Sequence, residues 1–429
     1  MKYQLTFLKS AIFISLLLLN SCATKKMNAD IVNLKFTVEE APEWTALFNR
    51  SSGWFGGDGV YAIPLNGKNN ETAKATTETL LVFGDTMIGE ISDGTLQPGS
   101  VMVHQSVVSI LGNEPKKDKV SFLWKKNELN EPESMFIPTT PTAKKIDYYW
   151  LGDGFVNTEL NNTTYIFAYR MRNLDKNDDW SFTKMGTNLI ALPSGSRPPF
   201  KEQRQIETPL RFDKGEFGAG IFVNTKKSGA PNPDGYVYIY GVKKDLMVAR
   251  VMPKDFENFS AWRFWDGKEW NKQIEKIAFV TQSVSNVMSV SALPDGRYAL
   301  VFTLGGLSPT IGLRLGITPY GPFGPVIKVW EAKEMQHKNY ITYNARAYPN
   351  LSAPGELLIS YNVNAFDFKK ELKANPNLYR PRFIKLKLCS ALQYFLIVLK
   401  YILQIYNPNY LNSKWLAVHT NPLFETLLK

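Results

Sequence analysis

Five times along this chain, a β-forming stretch runs into a turn rich in Asn, Asp, Gly or Pro and is followed by a second, more aromatic strand. The second strands are "LLVFGD" from Leu80, "YIFAYR" from Tyr165, "YVYIYG" from Tyr236, "YALVFT" from Tyr298 and "LLISYN" from Leu357, with starts 85, 71, 62 and 59 residues apart. The stretches before them, "DGVYAIPLNG", "DGFVNTELNN", "AGIFVNTKKSGAPNPDG", "VMSVSALPDG" and "RAYPNLSAPG", combine β-formers with turn chemistry. Third strands follow in "HQSVVSIL", "TNLIALP", "LMVARVM", "GLRLGITP" and "RFIKLKL", and no long helical periodicity occurs before residue 388. Look-alike units of three or four strands are blades, and blades around an axis make a propeller. The expected fold is therefore all-β, a five-bladed β-propeller. A β-sandwich also shows many short strands but does not predict five similar units. The early segment "NLKFTVEEAPEW" is placed as the strand that closes the ring against the last blade.

The two ends differ from this repeat. Lys2 and Lys9 precede the apolar run "AIFISLLLL", and a small residue, Ser21, sits just before Cys22. That is the pattern of a signal peptide over residues 1–21, too short to span a bilayer. Leu19-Asn20-Ser21-Cys22 resembles the lipobox of bacterial lipoproteins. It implies lipidation at Cys22, a polar tether over 22–39 and anchorage in the bacterial envelope, as an outer-membrane lipoprotein on either its periplasmic or its surface side. The only other cysteine is Cys389, so a lipidated Cys22 leaves no intramolecular disulfide. The propeller is expected over 40–388. Residues 389–429 form an apolar extension, unlike anything upstream, whose longest apolar run is interrupted by Lys400.

Composition narrows the partners. The net charge is +11, but the basic residues are scattered, with no run of five and no basic helix. This suits contact with anionic envelope material and excludes a nucleic-acid site.

Acids recur at one place in the units. Asp58, in "GGDG", starts the first strand of blade one, and Asp85, in "FGDT", ends the second; an antiparallel hairpin brings those ends together. Blade two repeats the motif as "LGDG" with Asp153. The corresponding positions in blades three to five offer Glu216, Asn286, and Asn344 with Arg346. Paired carboxyls at one channel mouth suit glycosidic cleavage, which needs a protonated acid and an ionised base or nucleophile. Close like charges push two such groups apart in pKa. Trp54, Trp150, Tyr149 and Phe155 are candidate sugar-stacking rings, His104 a hydrogen-bonding partner for a carboxylate or hydroxyl, and Arg170 and Arg346 cationic contacts. The glycines beside Asp58 read as clearing room for a sugar. An oxygen-rich mouth of this kind accommodates Ca2+, although no spacing here demands a metal or other cofactor.

"SGWFGGDGVYAIPL", "LLVFGDTMIGE" and "YPNLSAPGELLISYNVN" together resemble the bacterial lipoprotein and secreted families known as domains of unknown function 5005 and 4185. The likeness covers roughly residues 40 to 387. It implies a five-bladed propeller related to glycoside hydrolases, some of whose relatives are endo-acting arabinan-cleaving enzymes, with Asp58 and Asp85 as acid and base. The wider group of arabinanase and fructosidase relatives implies a three-acid plan instead. There Asp58 would be the base, Asp153 the pKa modulator and Glu216 the acid, although Glu216 lies slightly before the expected strand start.

Two functions from different classes follow: an envelope glycoside hydrolase acting on a polysaccharide, or a carbohydrate-binding lipoprotein without catalysis on the same fold. A sialidase would carry Ser-x-Asp-x-Gly-x-Thr-Trp boxes, and a phosphorylase a basic phosphate cluster; neither is present.

Overall fold

The computed structural model describes residues 30–175, 181–243 and 245–389. Within them the chain is β-sheet apart from two short helices, Pro42–Leu47 and Phe368–Ala374, and isolated 3-10 turns. Five antiparallel sheets carry the repeat. Sheet one orders Tyr61–Pro64, Glu78–Phe83, Ser106–Leu111 and Val120–Leu123, and sheet two Tyr148–Asn157, Thr163–Asn173, Phe182–Leu192 and Arg204–Glu207. Sheet three is built on Gly215–Asn224, Tyr236–Val242 and Asp245–Val251, extended by the small hairpin Arg263–Trp265 and Trp270–Asn271. Sheet four runs Met288–Ala292, Tyr298–Thr303, Thr310–Gly316 and Ile327–Glu331. Sheet five runs Tyr340–Ala347, Glu356–Ala365 and Pro381–Leu388, and its outer strand is Phe36–Glu40 from the other end of the chain. Phe36 lies opposite Leu388 and Glu40 opposite Ile384.

The first residues of the sheet thus include Phe36–Glu39, which the sequence reading had divided between a tether and a closing strand. The ladder with Pro381–Leu388 decides for the strand. The signal peptide, Cys22 with the tether up to residue 29, and the extension beyond Cys389 lie outside the described residues.

The second strands explain their own composition. A strand sandwiched between two neighbouring sheets is covered on both faces, so it reads as a continuous apolar run rather than an alternating one. In sheet one Leu80 and Val82 enter a cluster shared with sheet two, while Leu81 and Phe83 enter one shared with sheet five. In sheet three Val237 and Ile239 face sheet two, and Tyr238 and Tyr240 face sheet four. In sheet four Ala299 and Val301 turn towards sheet five. Five apolar clusters therefore lie between five successive pairs of sheets, and each fully buried large side chain contributes about 1.5–3 kcal/mol.

The first strands adjoin in order from sheet one to sheet five. The series returns to its beginning where Tyr348 Oη donates to the Val60 carbonyl at 3.0 Å and the Arg346 guanidinium lies 4.4 Å from the Tyr61 ring centre. A narrow cavity of about 40 Å³ touches all five first strands, through Ala62, Asp153, Ile221, Ser289 and Arg346.

A further sheet packs against this assembly, with Phe55 and Met87 in the cluster of sheets four and five. Ser52–Gly57 pairs with Thr86–Ser92, with Gly57 opposite Thr86, and Tyr61–Pro64 pairs with Glu78–Phe83, with Tyr61 opposite Val82. These are two parts of one ribbon whose ladder has a bulge between Trp54 and Gly56 and is interrupted between Gly57 and Tyr61. Asp58 lies in the interruption on one strand and Asp85 on the other. Asp58 therefore precedes the first strand of sheet one instead of starting it. Gly59, at φ +59°, supplies the left-handed turn there.

Comparable irregularities recur in the first strands of other sheets. Register shifts fall between Leu151 and Gly154, between Phe217 and Gly220, and between Tyr343 and Arg346, where Asn344 has φ +58°. A bulge bends its strand and re-aims a side chain. At Gly152 a Cβ would come within 2.5 Å of the Gly218 carbonyl oxygen, so the bulges of sheets two and three approach too closely for any larger residue.

Trp54 is corrected from sugar platform to core. Its ring is fully buried among Phe48, Phe83 and Phe122, and its Nε1 donates to Ser106 Oγ at 3.1 Å. Trp54→Ala should therefore lose about 3–5 kcal/mol of unfolding free energy in chemical denaturation. A loss below about 0.5 kcal/mol would fit an exposed ring instead.

Candidate functional site

Asp58 and Asp85 are joined through the backbone at the ladder interruption. Asp58 N–H donates to the Asp85 carbonyl at 3.2 Å, and Gly84 N–H to the Asp58 carbonyl at 2.8 Å. The two side chains meet different surroundings. Asp58 is half-buried and accepts from Tyr343 Oη at 2.5 Å, with the Tyr379 phenol beside it. Burial, and then the charge of Asp85, push the Asp58 carboxyl up to about 7, against the opposing pull of the two phenols. Burial and the Asp58 charge in turn hold the Tyr343 and Tyr379 phenols well above their ordinary range.

Asp85 sits on a more open, aromatic side. Its Oδ1 pairs with His104 Nδ1 at 2.8 Å, and its Oδ2 accepts from Trp150 Nε1 at 3.2 Å. The His104 ring stacks on Tyr148 with centroids 3.9 Å apart and planes 14° from parallel. Trp150 continues this wall by meeting Phe182 edge-on at 4.7 Å. His104, Tyr148, Trp150 and Phe182 all keep part of their surface exposed.

The other two predicted acids are committed to cationic partners. Asp153 is buried and accepts from Arg346 Nη2 at 2.9 Å, from Ile221 N–H at 2.8 Å and from its neighbour Gly154 N–H at 2.9 Å. Burial raises its carboxyl, and Arg346 pulls it back. Glu216 lies within the first strand of sheet three, which starts at Gly215, and pairs with Lys184, whose Nζ is 4.6 Å from the centre of the Tyr169 ring. Tyr61 feels the charges of both Asp58 and Asp153, and Tyr169 those of both Asp153 and Glu216, so the three acids lie along one polar band.

Several predicted binding residues are placed elsewhere or otherwise engaged. Tyr149 and Phe155 are fully buried core rings, because the strand Tyr148–Asn157 turns them into the clusters beside sheet two. Arg170 is buried with Asp147, at 3.1 Å, and with Thr142 Oγ1, at 2.6 Å, so it fastens a loop and presents no free cation to a sugar. Arg346 is likewise buried, against Asp153 between the rings of Tyr61 and Tyr348, and lines the narrow cavity shared by the five first strands. Asn286 is exposed just ahead of sheet four, and Asn344 occupies the bulge beside Tyr343. Among the described residues, no group of three or more His, Cys, Asp or Glu is placed to hold a metal ion, and no helix is long and apolar enough to cross a membrane.

The family described as Domain of unknown function (DUF5005) matches residues 42–394. The chain belongs to this family. No curated protein matches it. Among solved structures, a candidate hydrolase from Bacteroides ovatus is similar at 20% identity and a TM-score of 0.64, over 84% of this chain and 92% of that one, which shows a shared fold. A protein of unknown function from Dyadobacter fermentans aligns at 11% identity and a TM-score of 0.42, over 82% and 99% of the two chains. The GH43_1 enzyme from Xanthomonas citri, solved with xylose, aligns at 12% identity and a TM-score of 0.39, over 82% and 94%.

In this DUF5005 chain the residues missed by sequence reasoning are mostly tyrosines. Tyr343 adjoins the flagged Asn344, and Tyr148 adjoins the flagged Tyr149, so neighbourhood offered a signal for both. Tyr379, in "NLYRP", offered none.

The raised Asp58 has a defined effect on stability. In the unfolded chain its carboxyl ionises near 4, whereas the folded protein keeps the proton until about 7. Its contribution to stability is thus fully present below about pH 4 and lost as pH rises through about 7. Asp58→Asn removes that loss, so urea unfolding at pH 5 and pH 8 should show the variant gaining stability relative to wild type at the higher pH. A difference that does not change with pH would contradict the raised value.

Proposed function

We propose that this DUF5005 protein is a glycoside hydrolase of the bacterial envelope, held by a lipid at Cys22, and that its five sheets are the blades of a five-bladed β-propeller. The shared axial cavity and the five inter-sheet clusters support the blade reading. One observation carries the chemistry: two carboxyls meet at one ladder interruption, one half-buried and pushed up to about 7, the other hydrogen-bonded on an open aromatic wall. That asymmetry is what glycosidic cleavage requires of an acid and a base.

Asp58 is the proton donor in this reading, and the Asp85 side supplies the base. Asp153 and Glu216 are less available, since Arg346 and Lys184 already engage them. Tyr148, Trp150 and Phe182 offer faces and edges against which sugar rings pack. The substrate class is a polysaccharide met at the cell envelope.

The second reading, a carbohydrate-binding protein without catalysis, rests on the same aromatic wall. A polysaccharide panel separates the two when reducing ends and binding are measured independently for wild type, Asp58→Asn and Asp85→Asn. Cleavage by wild type should fall at least about 100-fold in either variant while binding persists. Binding by all three with no cleavage of any polysaccharide by wild type would leave the binding protein.

A further inference from the structure

We propose that His104, oriented by Asp85, is the catalytic base; this rests on the glycosidic reaction proposed above. Both Asp85 oxygens are already occupied, Oδ1 by His104 Nδ1 at 2.8 Å and Oδ2 by Trp150 Nε1 at 3.2 Å. A carboxylate only accepts, so the imidazole nitrogen facing it carries the proton, and in the neutral ring the basic lone pair lies at Nε2. The arrangement is that of a histidine held in one tautomer by a carboxylate behind it.

The ring is fixed on two further sides. It lies flat on Tyr148, whose own hydroxyl donates to Asn173 Oδ1 at 2.7 Å, and the His104 backbone N–H donates to Ser134 Oγ at 2.9 Å. The side chain is 32% exposed, and among the described residues no hydrogen bond occupies Nε2. The imidazole is thus partly open to solvent, and Asp58 is joined through its backbone to Asp85 at the ladder interruption.

The step balances without any further reactant. A water molecule gives one proton to His104 Nε2 as its oxygen bonds to the anomeric carbon. The bond from that carbon to the glycosidic oxygen breaks with its electron pair going to oxygen, and that oxygen takes the Asp58 proton. Imidazolium and carboxylate then return to their starting forms by proton exchange with solvent.

The test uses the full chain, uniformly 15N-labelled, and the polysaccharide that wild type cleaves in the panel. Long-range proton–nitrogen spectra of neutral wild type should show His104 protonated at Nδ1, identified as the signal absent from His104→Gln; protonation at Nε2 would overturn the proposal. His104→Ala should lose at least about 100-fold in kcat, with KM changed much less, and added free imidazole should restore part of that rate. His104→Gln, with a larger side chain that retains hydrogen-bonding groups, should remain folded by circular dichroism and be equally slow, without rescue. An active His104→Ala, or a slow one that imidazole leaves unchanged, would overturn the assignment while leaving the glycosidase reading intact. A wild type that cleaves no polysaccharide would overturn the glycosidase reading itself, and the base with it.

Discussion

The interruption at Asp58 and Asp85, in the ribbon shared by sheet one and the sheet of Ser52–Gly57 and Thr86–Ser92, sets up the rest of the site. On either side of it the ladder pairs normally, Gly57 with Thr86 and Tyr61 with Val82. Within it, the backbone bonds between Asp58 and Asp85 replace regular pairing and hold two carboxylates at the same level of two adjacent strands. Neighbouring acids at a sheet surface would repel one another into water. Here burial beside the Tyr343 and Tyr379 phenols, and then the repulsion from Asp85, appear as a proton retained near neutrality.

That arrangement holds only because the five sheets fix their first strands rigidly. Tyr343 reaches Asp58 from sheet five, and Trp150 and Tyr148 reach the Asp85 side from sheet two, so the site is assembled across the junctions on both flanks of sheet one. The Arg346–Asp153 pair braces the same centre between sheets five and two. The bulges in sheets two, three and five match the ladder interruption of sheet one in kind, which is why the "GDG" motif and its echoes recur at first-strand positions.

The strands were legible because their signal is local. A second strand covered on both faces must be apolar throughout, and a bulge or left-handed turn calls for Gly, Asn or Asp. Facing, in contrast, depends on which sheet lies opposite. Nothing in "SGWF" or "DYYW" tells that Trp54 and Tyr149 enter the core while Trp150 and Tyr148 remain half-exposed beside Asp85. Ion pairing is equally nonlocal: Arg170 is claimed by Asp147, and Arg346 of sheet five by Asp153 of sheet two. The pair Asp58 and Asp85 was readable because a hairpin joins them, whereas Tyr379, near the far end of the described chain, reaches Asp58 only through the fold.

The most direct test of the account is a crystal structure of Asp58→Asn with an uncleaved oligosaccharide of the class that wild type cuts. The scissile glycosidic oxygen should lie within about 3 Å of the residue 58 side chain, with the adjoining sugar against Trp150 and Tyr148. An oligosaccharide bound instead over Lys184 and Glu216, with its glycosidic bonds out of reach of residue 58, would contradict it.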